Sequence, residues 1–68
     1  MRNFNLEIGN LAGSIWKYLD EFGSISTFRL KMVMATSNAN IYLALGWLLR
    51  ENKIKIEALD KGYKVSKL

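Results

Sequence analysis

From Met32 to Leu49 the chain carries no charged side chain, and no other stretch of it goes so far without one. A run of that kind is sheltered by lipid, by the core of its own chain or by a partner. Lipid is the poorest fit. Thr36, Ser37, Asn38 and Asn40 interrupt the run, and its purely apolar part, Ile41–Leu49, is nine residues long. A membrane-spanning helix needs about 20. The N-terminus also lacks the charged-then-apolar layout of an export signal. The expectation is a soluble, cytoplasmic protein with no membrane contact, whose uncharged run divides between a core and a contact surface.

Length sharpens that division. Half of the 68 residues are hydrophobic, yet a chain this short buries only about 60% of the surface it exposes when unfolded. Cysteine is absent, so no disulfide supports the core, and histidine and proline are absent too. No Cys/His zinc site is available, and neither residue can act as nucleophile or base. Glu7, Asp20, Glu21, Glu51, Glu57 and Asp60 are scattered over positions that read as exposed. Gly9 and Gly13 fall inside a helical pattern without the spacing or lysine of a phosphate-binding loop. The inventory therefore predicts no enzyme, cofactor, metal or small-molecule ligand.

Along the chain, Ile8, Leu11, Ala12, Ile15, Leu19 and Phe22 recur at three- and four-residue steps. They predict a helix over about 6–22 with one apolar stripe. Trp16 and Tyr18 flank the stripe, and Asn10, Ser14, Lys17 and Glu21 lie opposite. Gly23 is placed to end the helix in the left-handed conformation. Gly9 and Gly13 each lower helix propensity by about 1 kcal/mol relative to alanine, but a residue without a side chain also admits close approach by another segment.

Ser24-Ile25-Ser26 reads as a minimal strand. Ser26 then caps a second helix over 27–34, with Arg29 where a capping box would carry glutamate. Leu30 and Met34 form one i,i+4 pair, and Phe28 and Met32 another that is rotated away from it. A short helix cannot bury both in one core. After an Ala35-Thr36-Ser37 turn, Ser37 caps a third helix over 38–51, stopped by Asn52. The alternation from Lys53 puts Ile54, Ile56 and Ala58 on one face of a strand. Asp60-Lys61-Gly62 turns the chain, and Tyr63 and Val65 share a face of the return strand, closing a hairpin over 53–66.

This order of helix, strand, helix, helix, strand, strand is that of an α+β winged helix-turn-helix domain filling residues 1–68, with three helices and a small antiparallel sheet. In that arrangement the third helix normally enters the DNA major groove. Sorted at 100° per residue, Ile41, Ala44, Leu45 and Leu48 face the core, with Leu49 at the edge. The opposite sector holds Ala39, Asn40, Leu43, Gly46, Trp47 and Arg50, with Tyr42 at its margin. A base-reading face would carry hydrogen-bonding side chains there. An exposed apolar ridge instead marks an interaction surface, and Trp and Tyr are common interface anchors. The other outcome is that Trp47 folds back onto the wing strands or the first helix.

The string Ile41-Tyr42-Leu43-Ala44-Leu45-Gly46-Trp47-Leu48-Leu49-Arg50-Glu51, followed by Lys53-Ile54, resembles a small family of stand-alone prokaryotic winged helix-turn-helix domains without an assigned molecular function. Ile8-Gly9, Ala12-Gly13, Ile15-Trp16 and Tyr18-Leu19 are similar to that family's first helix. The resemblance spans about residues 6–59 and implies the fold and a DNA-binding ancestry. It implies no catalytic residue.

Two functions compete. In the first, the chain is a homodimerising or protein-interaction module, with Phe28, Met32, Tyr42, Leu43 and Trp47 as anchors and Gly46 allowing close approach. In the second, it is a regulator that binds double-stranded DNA. Arg29, Lys31, Asn38, Asn40 and Arg50 then meet phosphates or base edges, while Lys61 and Lys64 in the wing hold the flanking backbone. Five or six phosphate contacts give a log K against log salt slope of about −5. The net charge of +4 is uneven. Residues 53–68 hold five lysines against Glu57 and Asp60, whereas residues 1–22 are net negative. Lysines on an exposed hairpin also keep it soluble and discourage edge pairing.

Overall fold

A computed structural model describes residues 4–68 of the chain. It contains α1 (Phe4–Phe22), β1 (Ile25–Ser26), α2 (Thr27–Met34), α3 (Asn38–Arg50), β2 (Ile54–Ala58) and β3 (Tyr63–Lys67). The strands form one antiparallel sheet in the order β1-β3-β2. The register sets Ile25 opposite Val65 on one side of β3 and Ile56 opposite Val65 on the other. This is the expected α+β arrangement. No single helix among the described residues is long and apolar enough to cross a membrane.

Local chemistry sets the element ends. Gly23 has φ +91° and donates its N–H to the Leu19 carbonyl at 2.9 Å, ending α1. The Ser26 hydroxyl accepts from the Arg29 N–H and the Ser37 hydroxyl from the Asn40 N–H, each at 3.2 Å. Each cap satisfies one of the helix-start donors that lack an intrahelical partner. Ala35 takes the left-handed conformation after α2, its N–H bonding the Met32 carbonyl, and α3 leaves at 109° to α2. That angle is typical of a helix-turn-helix. Asn52 (φ 58°) and Gly62 (φ +79°) make the two later turns.

The core joins Ile8, Ala12, Ile15 and Leu19 of α1 to Leu30 of α2, to Ile41, Ala44, Leu45 and Leu48 of α3, and to Ile25, Ile54 and Val65 of the sheet. Each fully buried aliphatic side chain among them contributes roughly 1.5–3 kcal/mol. The β3 end is tied to α1 by a Lys67–Asp20 ion pair, and the Lys67 ammonium also stands 5.2 Å from the Trp16 ring centroid.

Several details differ from the sequence reading. α1 starts at Phe4, ahead of the expected 6. α3 ends at Arg50, one residue short of the expected 51, and β1 omits Ser24. Phe22, placed in the apolar stripe, is 69% exposed and rests on Tyr18 with ring centroids 4.9 Å apart. The final turn of α1 runs beyond the core, so periodicity continues where there is nothing left to pack. Ala58 and Tyr63 were expected inward but are exposed. They pair with each other at the hairpin tip, where Tyr63 meets Tyr42 of α3 edge-on and is still 43% exposed. Ser66 is buried instead, sharing a 2.8 Å hydrogen bond with the Ser24 hydroxyl.

Candidate functional site

The outer surface of α3 is the candidate site, and two grooves flank it. On the α1 side, Leu43, Gly46 and Trp47 meet Phe4 and Ile8 around a shallow apolar groove of about 370 Å³, with Arg50 and Asn5 at its rim. Trp47 does two things there. Its ring covers Gly9, so closely that a Cβ at that position would lie 3.4 Å from Trp47 Cη2. It also remains 40% exposed. Gly9 thus provides the close approach that its missing side chain allows. Among the described residues, Gly46 has nothing within 4 Å of where a Cβ would stand. It is an open floor between two large apolar side chains.

On the wing side, Phe28, Asn38, Tyr42, Lys61 and Gly62 line a trough of about 500 Å³. It shares Tyr42 with an adjoining trough of about 520 Å³ lined also by Leu49, Ile56 and Tyr63. Tyr42 and Tyr63 meet edge to face, with centroids 6.3 Å apart and planes at 85°. Thr27 fixes this geometry. Its buried hydroxyl accepts the Tyr63 N–H at 3.2 Å, and a Cβ at Gly62 would fall 2.9 Å from the same oxygen. The wing tip is therefore pinned to the start of α2, beside Phe28.

The six expected interface residues divide between these places. Leu43, Gly46 and Trp47 line the α1-side groove, Phe28 and Tyr42 line the wing-side trough, and Met32 stands exposed on α2 outside both. The expected nucleic-acid contacts divide as well. Arg29 and Lys31 are exposed on α2. Asn38 and Lys61 line the trough, and Lys64 is exposed on β3 opposite Glu57. Arg50 lies at the other end of α3, about 18 Å along the axis from Asn38 at 1.5 Å per residue. Asn40 donates its side-chain amide to the Thr36 hydroxyl at 3.1 Å and so braces the turn.

Charge pairing separates the lysines further. Lys53 lies 4.0 Å from Glu51 and Lys55 lies 3.6 Å from Glu57, while Lys67 is paired with Asp20. Among the described residues, Lys61 and Lys64 have no ion pair. Sequence reasoning missed Phe4 and Tyr63 as site residues. Phe4 preceded the expected helix start, and the alternation assigned Tyr63 inward. The aromatic type of both was the one available signal.

The family model of a winged helix-turn-helix domain (DUF2582) matches residues 1–67. The chain belongs to this winged helix-turn-helix family. A solved relative is the solution NMR structure of protein BT2368 from Bacteroides thetaiotaomicron. It is 35% identical, with 88% of this chain and 73% of that one covered and a TM-score of 0.76. No curated protein matches the chain. In the winged-helix frame α3 holds the place of the recognition helix. Here that helix turns Leu43, Gly46 and Trp47 outward, where a reader of base edges carries hydrogen-bonding groups.

Proposed function

We propose that this winged-helix chain is a protein-interaction module that works as a homodimer through the α1 side of α3. One observation carries the reading. Gly46 is open between exposed Leu43 and half-buried Trp47, and among the described residues the groove continues over Phe4 and Ile8 with Arg50 as its one charged lining group. An apolar surface of this kind gains by being removed from water, at about 25 cal/mol per Å². The missing side chain at Gly46 lets a second α3 approach closely, and Trp47, anchored on Gly9, is already ordered. Ordering such a ring in advance lowers the entropic cost of association.

The outward residues of α3 argue against base reading. Asn40 is committed to Thr36, and Arg50 is remote from the wing. The test is sedimentation equilibrium, with amide NMR spectra at two concentrations. Dilution shifts centred on Leu43–Trp47 are expected, and Trp47→Lys is expected to give a folded monomer. A wild-type chain that stays monomeric at NMR concentrations overturns the reading. So does a dimer whose dilution shifts lie away from α3.

A further inference from the structure

The wing-side trough lies on the opposite flank of α3 from the groove assigned to self-association, and it has a different chemistry. It combines aromatic faces with unpaired positive charge. Phe28 is 72% exposed, and Tyr42 and Tyr63 each leave almost half their surface in solvent. Lys61 lines the trough and has no ion pair among the described residues, and Lys64 is likewise unpaired on the same hairpin. The acidic residue nearest in the ladder, Glu57, is held by Lys55. Asn38 is the first residue of the thirteen-residue α3, so the trough also meets the positive end of that helix.

From this placement we infer that the trough binds single-stranded nucleic acid. Bases stack on Phe28 and Tyr42, and on Tyr63 farther along, while Lys61 and the α3 N-terminus take the phosphate between them. Stacking suits this geometry because it needs ring faces and tolerates any base, and a lysine-lined groove tracks the backbone. A duplex does not fit the same chemistry, since its bases present edges and not faces. The trough is preorganised. The Thr27 hydroxyl holds the Tyr63 N–H, and Gly62 packs against that same oxygen, so Lys61 and Tyr63 are fixed relative to Phe28. Thr27 and Gly62 are positioning residues here. This inference is independent of the dimer reading.

The experiment titrates the labelled protein at low salt with decathymidylate and, separately, with the same strand annealed to its complement. Single-strand shifts are expected at Phe28, Asn38, Tyr42, Lys61 and Tyr63, with a shallow log K against log salt slope of about −0.7 for the phosphate held by Lys61 and the α3 N-terminus. Phe28→Ala and Tyr42→Ala are each expected to weaken binding by roughly tenfold, and Tyr42→Trp to keep it. Phe28 is exposed enough for its removal to leave the fold intact. Three results overturn the inference: no binding of the single strand, equal or tighter binding of the duplex, or unchanged affinity in both alanine variants. The first leaves the dimer reading untouched, because concentration-dependent shifts at Leu43–Trp47 are read without nucleic acid.

Discussion

Both flanks of α3 expose apolar side chains but are built differently. On the α1 flank an aromatic ring is anchored by helix packing. Trp47 lies on Gly9, and among the described residues the groove beside it has Arg50 as its one charged lining group. On the wing flank the rings come from α2, α3 and β3, and one hydroxyl of α2 ties the β3 ring in place. Tyr42 touches Tyr63, and Tyr63 is positioned by Thr27, with Lys61 at the rim. A surface placed by packing resists single changes away from it. A surface placed by one hydrogen bond and one glycine depends on both.

The largest expected effect breaks the wing flank alone. Gly62→Val puts a branched side chain at φ +79° and into the Thr27 oxygen, costing about 3 kcal/mol in urea unfolding. Amide shifts should spread over the wing and Phe28 and leave Leu43–Trp47 in place. Next comes the contrast within α3 itself. Trp47→Ala removes the ring that covers Gly9 and should cost about 2 kcal/mol, since less than half of it is exposed. Tyr42→Ala loses mainly an edge contact and should cost about 0.5–1 kcal/mol. Equal losses in thermal or urea unfolding would show that the flanks are held alike.

Thr27→Val keeps shape but removes the acceptor of the Tyr63 N–H, with an expected cost of about 1.5 kcal/mol. Hydrogen exchange at that amide should accelerate while exchange in α1 and α3 follows only the global change. The last effect has the opposite sign. Gly46→Ala adds a methyl in open space and should stabilise the monomer by about 1 kcal/mol. It should also weaken self-association measured by sedimentation, because the floor of the groove is filled. A variant that is more stable and associates as before would remove Gly46 from the interface.

Much of this was legible in the chain. Ser26, Gly23, Ser37 and Gly62 act within a turn or two of their own positions, so a cap or a positive φ can be read from residue type alone. The period of Ile8, Ala12, Ile15 and Leu19, and of Ile41, Ala44, Leu45 and Leu48, identified both buried faces. The failures share a physical cause. Phe22 and Ala58 kept their period beyond the point where another element remained to cover them, and periodicity gives direction without reach. The outward apolar residues of α2 and α3 looked like one surplus set. Their division into two grooves depends on where α1 and the wing lie, which no local pattern encodes.

By itself, then, the sequence determined the family, the order of elements, the capping and the buried stripes. It also determined that α3, uncharged before Arg50, must present apolar side chains to solvent. Tertiary structure alone decided which neighbours those side chains acquire. Phe4 and Gly9 come to Trp47 because α1 packs along α3. Lys61 and Tyr63 come to Tyr42 because β3 pairs with β1 and the Thr27 hydroxyl, 36 residues away in the chain, accepts the Tyr63 N–H. Contacts at that separation follow from how the elements fill one core, not from the residues on either side of them.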